Sequence, residues 1–280
     1  MFKIVKKTVL NPTVTKMDIL APAVAKKAKA GQFIILRVGE DGERIPLTVA
    51  GLDREAGTVS IIFQIVGETT MRLNAKEEGE YIEDFVGPLG KPTEIEGLKK
   101  VLVIGGGVGT AIALPVAQAL RDAGCEVHSI VGFRNADLVI LQKEFENCSA
   151  SFTLMTDDGS AGRKGLVTEP LVEKLQNETG FDRIIAIGPL VMMKFVALSA
   201  KPFGVPLTVS MNPVMIDGTG MCGCCRLTVG GKMRFACVDG PDFDGYLVDF
   251  DEAIARSRQY KAQEDKARER ACNLYKKEVE

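Results

Sequence analysis

At 280 residues the chain is long enough for two ordinary domains, each with its own core. Its 46% hydrophobic and 26% charged residues exclude a disordered chain, and 35 Lys and Arg against 37 Asp and Glu leave a net charge of −2, without the basic surplus a nucleic-acid binder carries. With no tryptophan and a single histidine, His128, the count excludes catalysis by a histidine pair and any multi-histidine metal site.

The first residues, Met1-Phe2-Lys3-Ile4-Val5-Lys6-Lys7, reach lysine early and form no apolar signal core, so the expected location is the cytoplasm. Residues 1 to about 98 carry short apolar or alternating runs, such as Phe33 to Val38 and Thr58 to Phe63, split by turn signals. That rhythm predicts a small β-barrel.

From 99 to about 210 strands alternate with helices. Val101 to Ile104 precedes a glycine loop and a helix closing near Gly124. Strands follow at Val127 to Val131, Phe152 to Met155, Ile184 to Ile187 and Leu207 to Val209, with helices expected at Ala136 to Glu146, Leu166 to Gln176 and Pro189 to Ser199. The pattern predicts an α/β domain built on a doubly wound parallel sheet. Val101 to Leu120 holds no charge, but four glycines and Pro115 within it favour strand, loop and helix over a membrane span. Residues 211–250 are rich in Gly, Cys and Asp with little regular patterning, and 251–280 read as a charged, solvated C-terminal helix, with Lys261/Asp265 and Glu264/Arg268 four apart.

Gly105-Gly106-Gly107-Val108-Gly109-Thr110 lies directly after a strand and opens a helix, which is the context a dinucleotide loop requires. There the backbone approaches a pyrophosphate whose charge the helix N-terminus stabilises. The end of the second strand offers Arg134 where a ribose carboxylate is usual, so it does not decide between NAD and NADP. Asp157 and Asp158 after the third strand and Gly188-Pro189 after the fourth share the carboxyl edge of the sheet, where open α/β folds bind ligands. The aspartates read equally as ribose partners or as a solvated turn. In the barrel, Arg44-Ile45-Pro46-Leu47-Thr48 puts a planar cation, a rigid residue and a hydroxyl together, a pattern shared with surface ion pairs. His128 and the pair Met192-Met193 read as packing residues.

Four of the seven cysteines fall between 222 and 237. Plant-type [2Fe–2S] proteins space their ligands C-x4-C-x2-C with a distant fourth. Cys222, Cys225 and Cys237 fit the last three places, and the first holds Asp217. Either Asp217 ligates iron through oxygen or Cys224 is the fourth ligand; Asp217 is preferred, because Cys224 sits between two fitted ligands and beside Cys225. A structural zinc knuckle is the competing reading, and the crowding glycines favour the cluster.

Together these parts resemble the ferredoxin-reductase-like electron-transfer flavoproteins, and within them the small subunits of NADH-dependent reduced ferredoxin:NADP oxidoreductases (sulfide dehydrogenase small subunits). The electron-transfer subunits of dihydroorotate dehydrogenase are the nearest relatives. The resemblance implies FAD in the barrel, with Arg44 at the pyrophosphate, Pro46, Leu47 and Thr48 near the isoalloxazine, and a second segment at Val66, Gly67, Thr69 and Thr70. Thr69 replaces a family glycine. Gly87, in Gly87-Pro88-Leu89-Gly90, also matches. NAD(H) is implied across the glycine loop, Asp157, Asp158, Gly188 and Pro189. Aspartate at 217 is similar to the ferredoxin:NADP type, whereas dihydroorotate-type subunits carry cysteine there. The implied activity is hydride exchange between NAD(H) and FAD, followed by single electrons through a [2Fe–2S] cluster. The implied partner is a larger flavin and iron–sulfur subunit, with ferredoxin and NADP behind it and electron bifurcation as an extension, and neither nucleic acid nor membrane is implied.

Overall fold

A computed structural model describes residues 1–277, with side chains described through residue 270. The first half is a nearly closed antiparallel barrel of β1 (Phe2–Asn11), β2 (Val14–Leu20), β3 (Phe33–Arg37), β4 (Arg44–Asp53), β5 (Thr58–Gln64), β6 (Tyr81–Ile82) and β7 (Asp84–Leu89), in the order β6-β1-β2-β5-β4-β3-β7. Alternation sets which side faces in: Met17 and Ile19 on β2 meet Val59, Ile61 and Phe63 on β5 in one buried cluster. Two short helices, α1 (Pro22–Lys27) and α2 (Glu68–Asn74), cover the connections.

The second half is the expected α/β unit: β8 (Lys100–Gly106), α3 (Gly109–Asp122), β9 (Glu126–Phe133), α4 (Gln142–Cys148), β10 (Ser151–Thr156), β11 (Arg163–Lys164), α5 (Thr168–Asn177), β12 (Arg183–Ile187), α6 (Leu190–Ala200) and β13 (Leu207–Ser210). Six strands run parallel in the order β11-β10-β9-β8-β12-β13. Successive residues of β8 feed opposite layers, Val101 and Val103 packing with the α3 side and Leu102 and Ile104 with α5 and α6. The apolar run 101–120 is thus strand, loop and helix. Among the described residues no helix is long and apolar enough to cross a membrane. The order reverses between β8 and β12, so a ligand crevice is expected at their carboxyl ends.

Three elements depart from the sequence expectation. The stretch 136–146 is not one helix, because Ile140 turns into the core with Leu138, Val139 and Leu141 packed beside it, delaying α4 to Gln142. Residues 211–250 hold more order than their composition suggests: a hairpin of β14 (Arg226–Val229) and β15 (Lys232–Phe235), the turn α7 (Ala236–Asp239), and β16 (Asp242–Asp244). β16 joins the parallel sheet as an antiparallel edge strand on β13. The C-terminal region is two helices, α8 (Phe250–Ser257), whose first turn is capped by Asp249 accepting from the Glu252 N–H, and α9 (Lys261–Lys277). The expected Lys261–Asp265 pair forms at 2.9 Å.

Candidate cofactor cleft and cysteine loop

A cleft of about 860 Å³ runs between the barrel and the carboxyl edge of the sheet. The barrel wall contributes Pro46, Leu47 and Thr48 from β4 together with Val66 and Thr70 before and within α2. Facing them are Gly106, Gly107, Val108 and Gly109, with Asp157 after β10 and Gly188-Pro189 after β12. Two motif sets far apart in sequence therefore line one volume.

The glycine loop is shaped by close approaches. A methyl group on Gly109 would stand 2.6 Å from Gly188 Cα and 2.7 Å from the Ile187 carbonyl, so the loop and the second glycine turn touch backbone to backbone. Thr110 is fully buried in the first turn of α3, and its Oγ1 has no hydrogen-bond partner. A cleft-lining glycine loop opening a 14-residue helix, in a cradle that a Cβ on Gly106 or Gly109 would fill, fits a pyrophosphate-bearing ligand. In the barrel segment, the Thr70 hydroxyl accepts from the N–H groups of Val66 (2.9 Å) and Gly67 (3.0 Å), fixing that turn. The Thr69 hydroxyl donates to Glu43 (3.1 Å), so the residue standing at the family glycine position is occupied by the barrel itself.

The aspartate pair divides its work. Asp158 accepts from the Ser160 N–H (2.9 Å) and hydroxyl (2.6 Å), and these bonds hold its carboxyl below the usual range. It closes the turn, while Asp157 lines the cleft.

At one end the cleft is walled by Met211, Asn212 and Met215, and the chain passes directly from there into the cysteine loop. Cys225 and Cys237 are buried with their sulfurs 3.2 Å apart. Burial holds the Cys237 thiol above its ordinary range, and the Gly220 N–H points at its sulfur. Cys222 is exposed, and the N–H groups of Cys224 and Asp217 directed at its sulfur lower its pKa. Asp217 accepts from the Thr219 hydroxyl and from the Thr219 N–H (3.0 Å), which lower its pKa, the hydroxyl foremost. The Cys224 thiol is raised, chiefly by its hydrogen bond with Cys222.

Among the described residues no three acidic, thiol or imidazole groups converge on one point as a single tetrahedral ion requires. A buried sulfur pair, a separate exposed donor region and backbone N–H groups aimed at sulfur fit a two-iron, sulfide-bridged group, whose ligands divide between two metals.

A family model described as the iron-sulfur cluster binding domain of dihydroorotate dehydrogenase B matches residues 212–249. A dihydroorotate dehydrogenase B (NAD(+)) electron transfer subunit homolog from Thermotoga maritima is 50% identical over 268 residues, covering 96% of this chain and 94% of its own. The chain belongs to the dihydroorotate dehydrogenase B electron transfer subunit family. A solved chain reported under flavin-based electron bifurcation and the NADH-dependent reduced ferredoxin-NADP oxidoreductase structure shares 47% identity, with a TM-score of 0.91 over 96% of this chain and 97% of that one. A cytochrome P450 reductase from Amycolatopsis, at 20% identity and a TM-score of 0.60 over 72% of this chain and 65% of its own, shares the fold.

In this electron transfer subunit, seven of the sequence-nominated residues stand off the cleft wall: Arg44, Gly67, Thr69, Gly87, Gly105, Thr110 and Asp158. Gly105 leaves room for Thr110, and Gly87 is tucked against Ile34 of β3. Arg44 reaches the cysteine loop, its Nε donating to the Ile216 carbonyl at 2.8 Å. Of the methionine pair, Met193 is core, whereas Met192 lies over Gly106 and lines the cleft. His128 is a packed residue: Ser151 and Glu126 each lie 2.7 Å from a ring nitrogen, Phe181 stands edge-on, and burial lowers its pKa. Sequence reasoning missed Ser210, Met211, Asn212 and Phe195 on the cleft wall. The first three end or directly follow the last parallel strand, so the carboxyl-edge rule that selected Gly188 points to them as well.

Proposed function

We propose that this chain is the small electron-transfer subunit of an NADH-linked reduced ferredoxin:NADP oxidoreductase, working in the cytoplasm beside a larger flavin and iron–sulfur subunit. The observation that carries the reading is the continuity of one cleft, lined by the barrel and the glycine loop, with the loop that presents Asp217, Cys222, Cys225 and Cys237. When bound, FAD supplies hydride exchange with the nicotinamide and single-electron release, and a [2Fe–2S] cluster supplies a one-electron carrier.

The chain's own residues bind and orient. Pro46, Leu47 and Thr48 would hold the flavin ring, with Val66 and Thr70 along its remaining length, while Arg44, Gly67, Thr69 and Gly87 shape that wall from behind. Gly106 to Gly109, Asp157, Gly188 and Pro189 would hold NAD(H), with Gly105, Thr110 and Asp158 fixing the turns that present them. Leu47 and Pro46 exclude water from the ring side, and the Gly109–Gly188 contact keeps the two nucleotide turns in fixed relation. No side-chain acid or base is required, since hydride passes between the two cofactors. Asp217 would place an oxygen donor on one iron, a harder ligand than thiolate. Ferredoxin and NADP are reached through the larger subunit.

Anaerobic addition of NADH to the purified full chain tests the reading. The expected result is bleaching of a flavin spectrum, with a rhombic electron-spin signal after dithionite. A colourless protein with one zinc per chain overturns it.

A further inference from the structure

Arg44 opens β4 and belongs to the segment assigned to the flavin, yet its side chain is not on the cleft wall. Its Nε donates to the Ile216 carbonyl across a separation of 172 residues. Among the described residues this is the hydrogen bond that ties the barrel to residues 212–225. The guanidinium is also steadied from behind: its Nη1 lies 3.9 Å from Asp84, whose carboxylate is held by Arg37 at 2.6 Å. The Ile216 carbonyl and the Asp217 N–H are the two ends of one peptide group. The contact therefore fixes, from its carbonyl end, the peptide that carries Asp217, and sets a positive charge beside that oxygen donor. Charge and hydrogen bonding around the ligands of an iron–sulfur group set its potential, and a nearby positive charge favours the reduced, more negative state.

We propose that Arg44 is a positioning residue for the iron–sulfur loop, holding the Ile216–Asp217 peptide and a positive charge beside the Asp217 oxygen donor and thereby raising the potential of the cluster, an inference that rests on the cluster reading above. One arginine at the start of β4 thus joins the barrel strand that lines the cleft to the cysteine loop. Loss of the contact frees the peptide next to the oxygen ligand and removes a positive charge from beside Asp217.

The test compares full-length, cofactor-loaded Arg44→Ala and Arg44→Gln with wild type and with Thr48→Ala, a substitution confined to the flavin wall. Flavin and iron are quantified in each, and the cluster is followed by potentiometric titration with electron-spin detection. The expected result is a negative shift of the cluster midpoint and altered g values in Arg44→Ala. Arg44→Gln, which keeps a donor without the charge, is expected to fall between it and wild type. Thr48→Ala is expected to leave the cluster signal unmoved whatever its flavin content. Iron loss in Arg44→Ala, with iron retained in Thr48→Ala, also supports the grip. An unshifted cluster in both Arg44 variants overturns the proposal, and so does a shift that Thr48→Ala reproduces at matched flavin content. If Arg44→Ala does not fold, Arg44→Gln decides by the same criteria. A wild-type protein with no rhombic signal ends the cluster reading itself and takes this inference with it.

Discussion

Asp242 offers a sharp test of how the two halves are joined. It begins β16 and reaches back to the interdomain linker, where the Thr93 hydroxyl donates to Oδ2 at 2.6 Å. The Ser210 hydroxyl, on the neighbouring strand, is its other side-chain partner. Part of the residue reaches solvent, but Oδ1 is sealed from water and has no partner. The nearest named charges are Arg183 and Glu94, themselves paired at 3.3 Å, so they largely cancel. Burial therefore raises the Asp242 pKa in the folded protein. The sign follows by linkage. A group that binds its proton more tightly when folded contributes stability below its unfolded pKa of about 3.9 and loses it as pH rises through the folded value. An ionised carboxylate with one buried, unsatisfied oxygen costs about 1–3 kcal/mol. Asp242→Asn keeps an acceptor for Thr93 and cannot ionise. Its stability relative to wild type should therefore improve by about 1–3 kcal/mol between roughly pH 4.5 and pH 8. Urea unfolding of both proteins at the two pH values measures the double difference, in which all other titrations cancel. A relative stability that stays flat with pH, or changes in the opposite direction, refutes the reasoning.

The remaining predictions concern the cleft and the loop. Gly109→Ala drives a methyl group into the Gly188 backbone, which cannot yield as a flexible side chain would. It should destabilise by about 1–3 kcal/mol and weaken NADH binding, measured by thermal unfolding and fluorescence titration. Asp157→Ala should weaken NADH by about fivefold, the worth of one hydrogen bond, while Asp158→Ala should chiefly loosen the Ser160 turn and change affinity less. A larger affinity loss at 158 than at 157 reverses that assignment. Iron analysis separates the ligands: Cys225→Ser and Cys237→Ser should lose the cluster, Cys224→Ser should keep it, and Asp217→Cys should keep it with a shifted potential. Iron loss in Cys224→Ser with none in Asp217→Ala makes Cys224 the fourth ligand.

Much of this was legible because burial and turn chemistry leave periodic marks. The strands β8, β9 and β12 are buried on both faces, so their largely apolar runs stand out as parallel strands, and Gly105, Gly106 and Gly109 are confined by close contacts while Gly107 turns at φ +54°. The helix expected over 136–146 failed because Ile140 gains more from the core than from continuing a helix, a choice made by tertiary packing. The hairpin of β14 and β15 was missed although its signal was present: Gly230-Gly231, at φ +58° and +71°, forms the two-residue turn that positive φ at both positions allows. The cysteines drew the reading towards ligands and away from strands. Arg44 shows the limit of motif reasoning, since a segment names the residue but only the fold reveals that its guanidinium faces Ile216.

The cysteine-bearing segment is wedged between the other two parts more than appended to them. Lys91 N–H donates to the Gly240 carbonyl at 2.7 Å, Thr93 binds Asp242, and Met211 N–H donates to Pro241 at 2.9 Å. These bonds bind one short stretch, 240–242, at once to the linker that leaves the barrel and to the strand that ends at the cleft. Cys237 lies three residues before that stretch, and the chain on the other side of the cleft wall, Met211 to Met215, runs into Asp217. The first and last donors of the loop, Asp217 and Cys237, are thus each anchored within a few residues to a segment that also shapes the cleft. An electron carrier held this way keeps a fixed separation from whatever occupies the cleft, because barrel and sheet cannot move apart without breaking the bonds at 240–242. That rigidity, more than any single ligand, is what lets a loop of glycines and cysteines serve as a defined path out of the flavin site.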